Sequence, residues 1–224
     1  MKLLVVVPTI HRAEKCKEFL TSLNETKQLE TEVFLGVDEE DPQFQQYITL
    51  SKKYDFHLGV FSGDSPTRIM NTVIEEKNFE DVEYFMPCND DFIFKTPGWD
   101  KQLIEEIEKH GKGIAYGNDL LQGENLPTTS IISGSIVRKI GWLQLPTLQC
   151  LYGDNVWKVI GQGAGCLFYR GDVIIEHQHP AAGFEIDETA KTTNSEENYK
   201  KDREEFVKWI ATGADADIAK VREL

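Results

Sequence analysis

"KLLVVVPTIHRAEKCKEFLTSL" (residues 2–23) changes its hydrophobic period in mid-course. Residues 2–7 form an unbroken apolar, β-branched run, the pattern of a strand buried on both faces. From 12 to 23, Cys16, Phe19, Leu20 and Leu23 recur at helical spacing. A buried strand followed at once by an amphipathic helix is half of a βαβ unit.

The alternation continues outward. "EVFLGV" (32–37) reads as a strand, "PQFQQYITLSKKY" (42–54) as a helix with Phe44, Tyr47 and Ile48 on one face, and "FHLGVF" (56–61) as a strand. In "SPTRIMNTVIEEK" (65–77), Ser65 is placed to cap a helix whose first residue is Pro66. "VEYFMP" (82–87) is a fourth strand. Strands and helices alternating at this spacing imply parallel strands in a layered α/β fold.

The second half is looser. "PGWDKQLIEEIEKHG" (97–111) is an amphipathic helix with Trp99, Leu103, Ile104 and Ile107 inward and Gly111 as its stop. Short strands are expected at 113–116 and 129–132, a helix at 152–163, a strand at 172–179, and a charged helix at 196–210 with Tyr199, Phe206 and Trp209 or Ile210 inward.

Composition bounds the function. Forty per cent hydrophobic and 28% charged residues in a chain of 224 suit one globular domain with a sizeable core. A formal net charge of −14 repels nucleic acid and anionic membranes in the absence of a local basic patch. The opening apolar run stops at Pro8, too short for a signal peptide. Four widely spaced cysteines without a CxxC pair read as reduced thiols, and the expected location is cytoplasmic.

In parallel α/β sheets, ligands collect at the carboxyl ends of strands. Asp38 follows the second strand, and "CNDD" (88–91) follows the fourth. Neighbouring carboxylates there suit a hard divalent cation sharing its shell with substrate phosphates; Asn-Asp-Asp is equally good turn chemistry. In "VIIEHQHP" (173–180), period two puts His177 and His179 on one strand face. One imidazole among carboxylate and phosphate oxygens suits Mn²⁺ better than Mg²⁺. Asp154 in "YGDN" (152–155) sits where a helix begins, either as its N-cap or as a general base kept ionised by the helix N-terminus; Asn155 could position a hydroxyl or take over the cap. Arg12 and Arg68 could meet a diphosphate or pair with local acids. "GQGAG" (161–165) lacks the Lys-Ser/Thr of a P-loop and ends a helix, and "SGS" (133–135) lacks the surroundings of a nucleophilic serine.

Taken in order, these segments resemble a GT-A glycosyltransferase of the family-2-like group over roughly residues 3–180. "VVVPTIHR" (5–12) is similar to that family's opening strand and loop, where the nucleobase and ribose sit, so the resemblance places Pro8, Thr9 and Arg12 at the donor. It places Asp38 at the base or ribose, and Arg68 and Asn71 on the helix bordering the diphosphate. "CNDD" resembles the acidic metal motif with Asn where the family carries its first Asp, so the metal would rest on Asp91, with Asn89 and Asp90 toward the donor. "EHQHP" (176–180) resembles the late histidine completing the metal site, leaving His177 and His179 both open. Asp154 sits where the family carries its base, although the motif is Gly-Asp where many relatives have Glu-Asp.

The fold this implies is a Rossmann-like, mixed but mainly parallel sheet flanked by helices in one GT-A domain over 1–189, with a donor half to about 95 and an acceptor half from 96 to 189. Residues 190–224 are a loop and helical segment packing on it, and "AKTTNSEEN" (190–198) is either a loop ordering over the donor or a plain surface loop. The implied activity is metal-dependent (Mn²⁺ or Mg²⁺) transfer from a nucleotide-diphosphate sugar, a UDP-sugar first, to a hydroxyl of a glycan, protein or modified nucleobase. One base and one metal suffice for inversion. The rivals are a sugar nucleotidyltransferase, which usually carries a Gly-rich basic loop where "PTIHRAEK" (8–15) stands, and a GT-A-like binding module without turnover.

Overall fold

The structure, a computed structural model, describes residues 1–76 and 79–224. Among these residues the strands are β1 (Lys2–Thr9), β2 (Glu30–Asp38), β3 (His57–Phe61), β4 (Tyr84–Pro87), β5 (Phe92–Phe94), β6 (Ile114–Asn118), β7 (Ser130–Ser133) and β8 (Leu167–His177). The α-helices are α1 (Ala13–Thr26), α2 (Phe44–Leu50), α3 (Pro66–Glu75), α4 (Trp99–Glu108), α5 (Gly134–Ile140), α6 (Gly153–Ala164), α7 (Glu188–Thr193), α8 (Glu196–Thr212) and α9 (Ala214–Arg222). The strands form one eight-stranded sheet in the order β3-β2-β1-β4-β7-β6-β8-β5.

The first half follows its hydrophobic periods. β1 buries Leu3 to Val7 completely, and α1 buries Cys16, Phe19, Leu20 and Leu23. β1 to β4 are mutually parallel. Ser65 caps α3, its hydroxyl accepting from the Arg68 amide at 3.2 Å, with Pro66 at the first helical position. The expected end of that helix at Lys77 lies outside the described residues. α4 buries Trp99, Leu103, Ile104 and Ile107, and the glycine-rich 161–165 closes α6 with Gly165 at φ 69°, a left-handed conformation suited to glycine.

β7 runs antiparallel to β4 and β6, so β6 again points the same way as β4, and β8 is parallel to β6. The carboxyl ends of β1, β2, β4, β6 and β8 therefore share one edge of the sheet. β5, too short to announce itself by periodicity, pairs antiparallel with β8 in the register Phe92↔His177.

Three expectations are corrected. Residues 190–198 form the end of α7 and the start of α8, not a loop. The strand expected at 172–179 starts at Leu167 and stops at His177. On α8 the buried positions are Asp202 and Trp209, with Phe206 partly buried against the core, whereas Tyr199 and Ile210 are exposed. No helix among the described residues is long and apolar enough to cross a membrane.

Candidate active site

The cluster begins at the end of β1. Thr9 is buried and donates its hydroxyl to Asp90 Oδ2 at 2.6 Å. Two residues on, His11 takes a left-handed φ of 57°, turning the chain so that Arg12 reaches back over the β4 end. The Arg12 guanidinium donates to Asp90 Oδ1 at 2.8 Å and lies 3.6 Å from Asp91 Oδ2. Its other edge makes a two-point contact with Asp187, at 2.9 and 2.7 Å, which Lys15 joins at 3.0 Å. Burial opposes the Arg12 charge, but Asp187 and Asp90 outweigh it and raise its pKa. Asp187 is likewise held below the ordinary carboxylate range despite partial burial, by hydrogen bonds from Arg12, the Ala190 amide and Lys15.

Asp90 and Asp91 are both buried, while Asn89 before them is exposed. Burial and the neighbouring Asp91 push the Asp90 carboxyl up, whereas Asp91 is pulled down against its burial by His177 and Arg12. The β5–β8 pairing delivers that histidine. The Gln178 amide donates to the Asp91 carbonyl at 2.8 Å, and the His177 ring stacks on Phe92 with centroids 4.3 Å apart. His177 Nε2 stands 3.4 Å from Asp91 Oδ1, off the line of a hydrogen bond. Asp91 Oδ1 and His177 Nδ1 are buried without any hydrogen-bond partner.

Such an orphaned carboxylate oxygen facing an imidazole suits a cation. Among the described residues no group of three or more His, Cys, Asp or Glu side chains gathers around one point. His179 lies beyond the strand end. Its ring centroid is 5.0 Å from that of His177, and its Nδ1 accepts the Ala181 amide at 3.1 Å, leaving only Nε2 free. Burial and His177 lower its pKa.

Asp154 enters from the other half of the molecule. The residue in the N-cap position of α6 is Tyr152, at φ 66°, and Asp154 lies inside the first turn, accepting the Asn155 amide at 2.8 Å. The capping role open to Asp154 or Asn155 in the sequence is therefore taken by neither. Burial pushes the Asp154 carboxyl above the ordinary carboxylate range; the Asn155 amide and nearby His177 pull against this without cancelling it. Burial thus acts against the stabilisation expected from the helix terminus. A β-carbon at Gly153 would meet the amide end of the Gln144 side chain, which would have to swing aside.

The remaining expected donor residues separate. Pro8 lies in β1 opposite Gly36 of β2. Asp38 anchors a turn at the rim, each oxygen taking one backbone amide at 2.8 Å, from Glu40 and Gly63. Asp90 spends its oxygens on Thr9 and Arg12 rather than facing outward to a ribose. Arg68 is exposed and pairs with Glu75 at 3.5 Å along its own helix, away from the cluster. Asn71 pins a loop: its oxygen accepts the Leu143 and Gln144 amides, and its nitrogen donates to the Gln144 carbonyl. Asp38, Asp90, Arg68 and Asn71 each have a partner within the protein, which motif order alone does not reveal.

Three acids went unread in the sequence. Asp187 caps α7, accepting the Ala190 amide at 2.7 Å. The signal was Asp before "ETAK" (188–191), an N-cap pattern. Asp119, fully buried after β6, gathers the amides of Leu121, Gln122 and Gly123 on one oxygen and the Thr128 hydroxyl on the other. Asp41 holds the His11 amide at 2.6 Å and so fixes the turn that aims Arg12.

No protein-family model and no curated protein matches the chain. Solved structures do match in shape. S. aureus TarS is 15% identical with a TM-score of 0.62, over 90% of this chain and 41% of that one. The chain thus spans less than half of that longer protein. TarS 1-349 in complex with UDP-GlcNAc is 15% identical with a TM-score of 0.61, over 90% of this chain and 69% of that one. The mannosyltransferase PcManGT from Pyrobaculum calidifontis, in complex with GDP-Man and Mn²⁺, is 10% identical with a TM-score of 0.67, over 98% and 72%. The chain has the GT-A fold of glycosyltransferases, a mixed and mostly parallel sheet flanked by helices. Its acidic cluster stands at the strand edge where that class of α/β sheet collects ligands.

Proposed function

We propose that the protein is a glycosyltransferase that moves a sugar from a nucleotide-diphosphate sugar, with UDP-sugars the first donors to try, onto an acceptor hydroxyl with inversion at the anomeric carbon. The observation that carries this reading is the approach of two unlike carboxylates, Asp91 and Asp154, to one histidine, His177. Asp91 sits with an unpartnered oxygen beside His177, and Asp154 sits near enough to His177 to feel it, its pKa raised by burial. Carboxylates pushed apart in this way take separate roles.

Asp154 accepts the proton of the acceptor hydroxyl as that oxygen attacks the anomeric carbon. The bond from that carbon to the diphosphate breaks on the opposite face, and the nucleoside diphosphate leaves. A pKa above the ordinary carboxylate range makes Asp154 a stronger base than a solvated aspartate. Asp91 and His177 would hold a divalent cation, Mn²⁺ or Mg²⁺, which when bound neutralises charge on the leaving diphosphate. Arg12 and Thr9 occupy both oxygens of Asp90, so Asp91 is the carboxylate of the pair left with an unpartnered oxygen. The neighbours bound to UDP-GlcNAc and to GDP-Man with Mn²⁺ support this donor class and metal.

The test is release of nucleoside diphosphate from a panel of UDP- and GDP-sugars with Mn²⁺. Asp91→Ala is expected to abolish the metal-dependent part, and Asp154→Asn to keep donor affinity while losing transfer by about 10²–10⁴. Metal-dependent release unchanged in Asp91→Ala would remove the cation seat, and full transfer by Asp154→Asn would remove the base.

A further inference from the structure

Beside the α6 N-terminus, a groove of about 790 Å³ runs between Tyr152 and the outer face of α8. Tyr152, Tyr199 and Val207 line it, with Lys200, Arg203 and Glu204 among its polar groups. Tyr199 is 43% exposed and Val207 56%, the opposite of what a helix packed on a core would do with them.

Three features tie the groove to Asp154. Tyr152 belongs to both: it lines the groove and stands two residues before the carboxylate. Its ring is fixed, stacked on Phe206 at 5.3 Å between centroids, and its backbone is held at φ 66°, a conformation costly for a tyrosine and typical of residues whose placement is functional. The Tyr199 phenol lies close enough to Asp154 and Tyr152 to be raised by them in addition to burial. The groove therefore lies against the segment that leads from the α8-anchored loop into Asp154.

The lining indicates the chemistry. Aromatic faces suit the apolar C–H face of a pyranose, and a rim of mixed charge suits its hydroxyls. Among the described residues Lys200 and Arg203 make no ion pair, so their donors are available. Resting on the glycosyltransferase reading above, we propose that this groove is the acceptor subsite and that its occupant is a saccharide, with one ring stacked on Tyr199.

Saturation-transfer NMR would test this with cellotetraose, chitotetraose, mannotetraose and tetragalacturonate, on the full chain with UDP and Mn²⁺. At least one saccharide is expected to bind the wild type. Tyr199→Ala and, independently, Val207→Arg should weaken that binding at least tenfold while the UDP dissociation constant by calorimetry stays put. Binding equal in both variants, or no binding by any of the four, would overturn the proposal and leave a protein or nucleobase acceptor. If a saccharide binds in the groove but no nucleotide sugar is turned over, the subsite stands and the glycosyltransferase reading falls.

Discussion

Arg12 is the residue on which the buried acids depend. Its side chain is only 9% exposed, and it faces Asp90, Asp91 and Asp187 at 2.8, 3.6 and 2.7 Å. Removing the cation leaves Asp90 and Asp91 adjacent and buried, with only the Thr9 hydroxyl on Asp90 and His177 beside Asp91. Arg12→Ala is expected to destabilise the protein by about 3–5 kcal/mol in urea denaturation. Arg12→Lys recovers only part, because an ammonium cannot bridge Asp187 with two parallel bonds while holding Asp90. The second residue-scale expectation concerns pH. The folded pKa of Asp154 is raised by burial, so its base form appears only above that raised value and is lost as pH falls through it. The acid limb of kcat/KM should therefore lie above the ordinary aspartate value of about 3.9, and disappear in Asp154→Asn. A limb unchanged by that substitution assigns it to another group. The sequence made Asp91, His177 and Asp154 legible because each follows a strand end or opens a helix. It did not reveal Asp187, 175 residues from the arginine it binds. Nor did it show that Arg68 and Asn71 find local partners, because which way a surface side chain turns is settled by tertiary neighbours that periodicity does not contain.

Among the elements, α8 departs furthest from its pattern. Its helical spacing offers Tyr199, Phe206 and Trp209 or Ile210 to the core; Trp209 is buried and Phe206 partly so, yet the residue wholly removed from solvent is Asp202. Its carboxylate accepts the amides of Gln149, Cys150 and Leu151 at 2.8 to 2.9 Å, the three residues just before Tyr152. A buried carboxylate is here the cheapest way to satisfy a loop whose amides have no strand to pair with. The helix thus holds the segment that carries Asp154. Asp202→Ala strands three partly buried donors, and a loss of about 3 kcal/mol is expected in thermal or urea unfolding. Below the midpoint, kcat should fall with little change in UDP affinity, because the displaced loop leads into Asp154, the proposed base. Asp202→Asn keeps one acceptor oxygen and should lose less on both counts; equal losses in the two variants would contradict the anchoring role. Elements were readable where periods were long and clean, as in β1, α1 and α4. Short β5 and α7 escaped because three to six residues carry too little period.

At the scale of the molecule, one sheet carries two cores back to back. Alternate residues of β1 divide between them: Leu3, Val5 and Val7 pack with α1 and α4 on one face, Leu4 and Val6 with α3, α5 and α6 on the other. The last helices belong to the second core, where Trp209 donates to Asp217 at 3.0 Å and Val221 is fully buried. Neither core can open without exposing the opposite side of the same strands, so the two should melt together. The four tryptophans test this, because Trp99 lies in the first core and Trp142, Trp157 and Trp209 in the second. With 5-fluorotryptophan incorporated and each signal assigned by a Trp→Phe variant, all four native ¹⁹F resonances should lose intensity at one urea concentration. Trp99→Phe itself should cost little, since the indole N–H it removes is buried without a partner and its loss offsets part of the lost packing. A Trp99 resonance surviving past the other three would mean that the α1 and α4 face holds the sheet alone, and that the half carrying Asp154 can open independently of the half carrying Asp91.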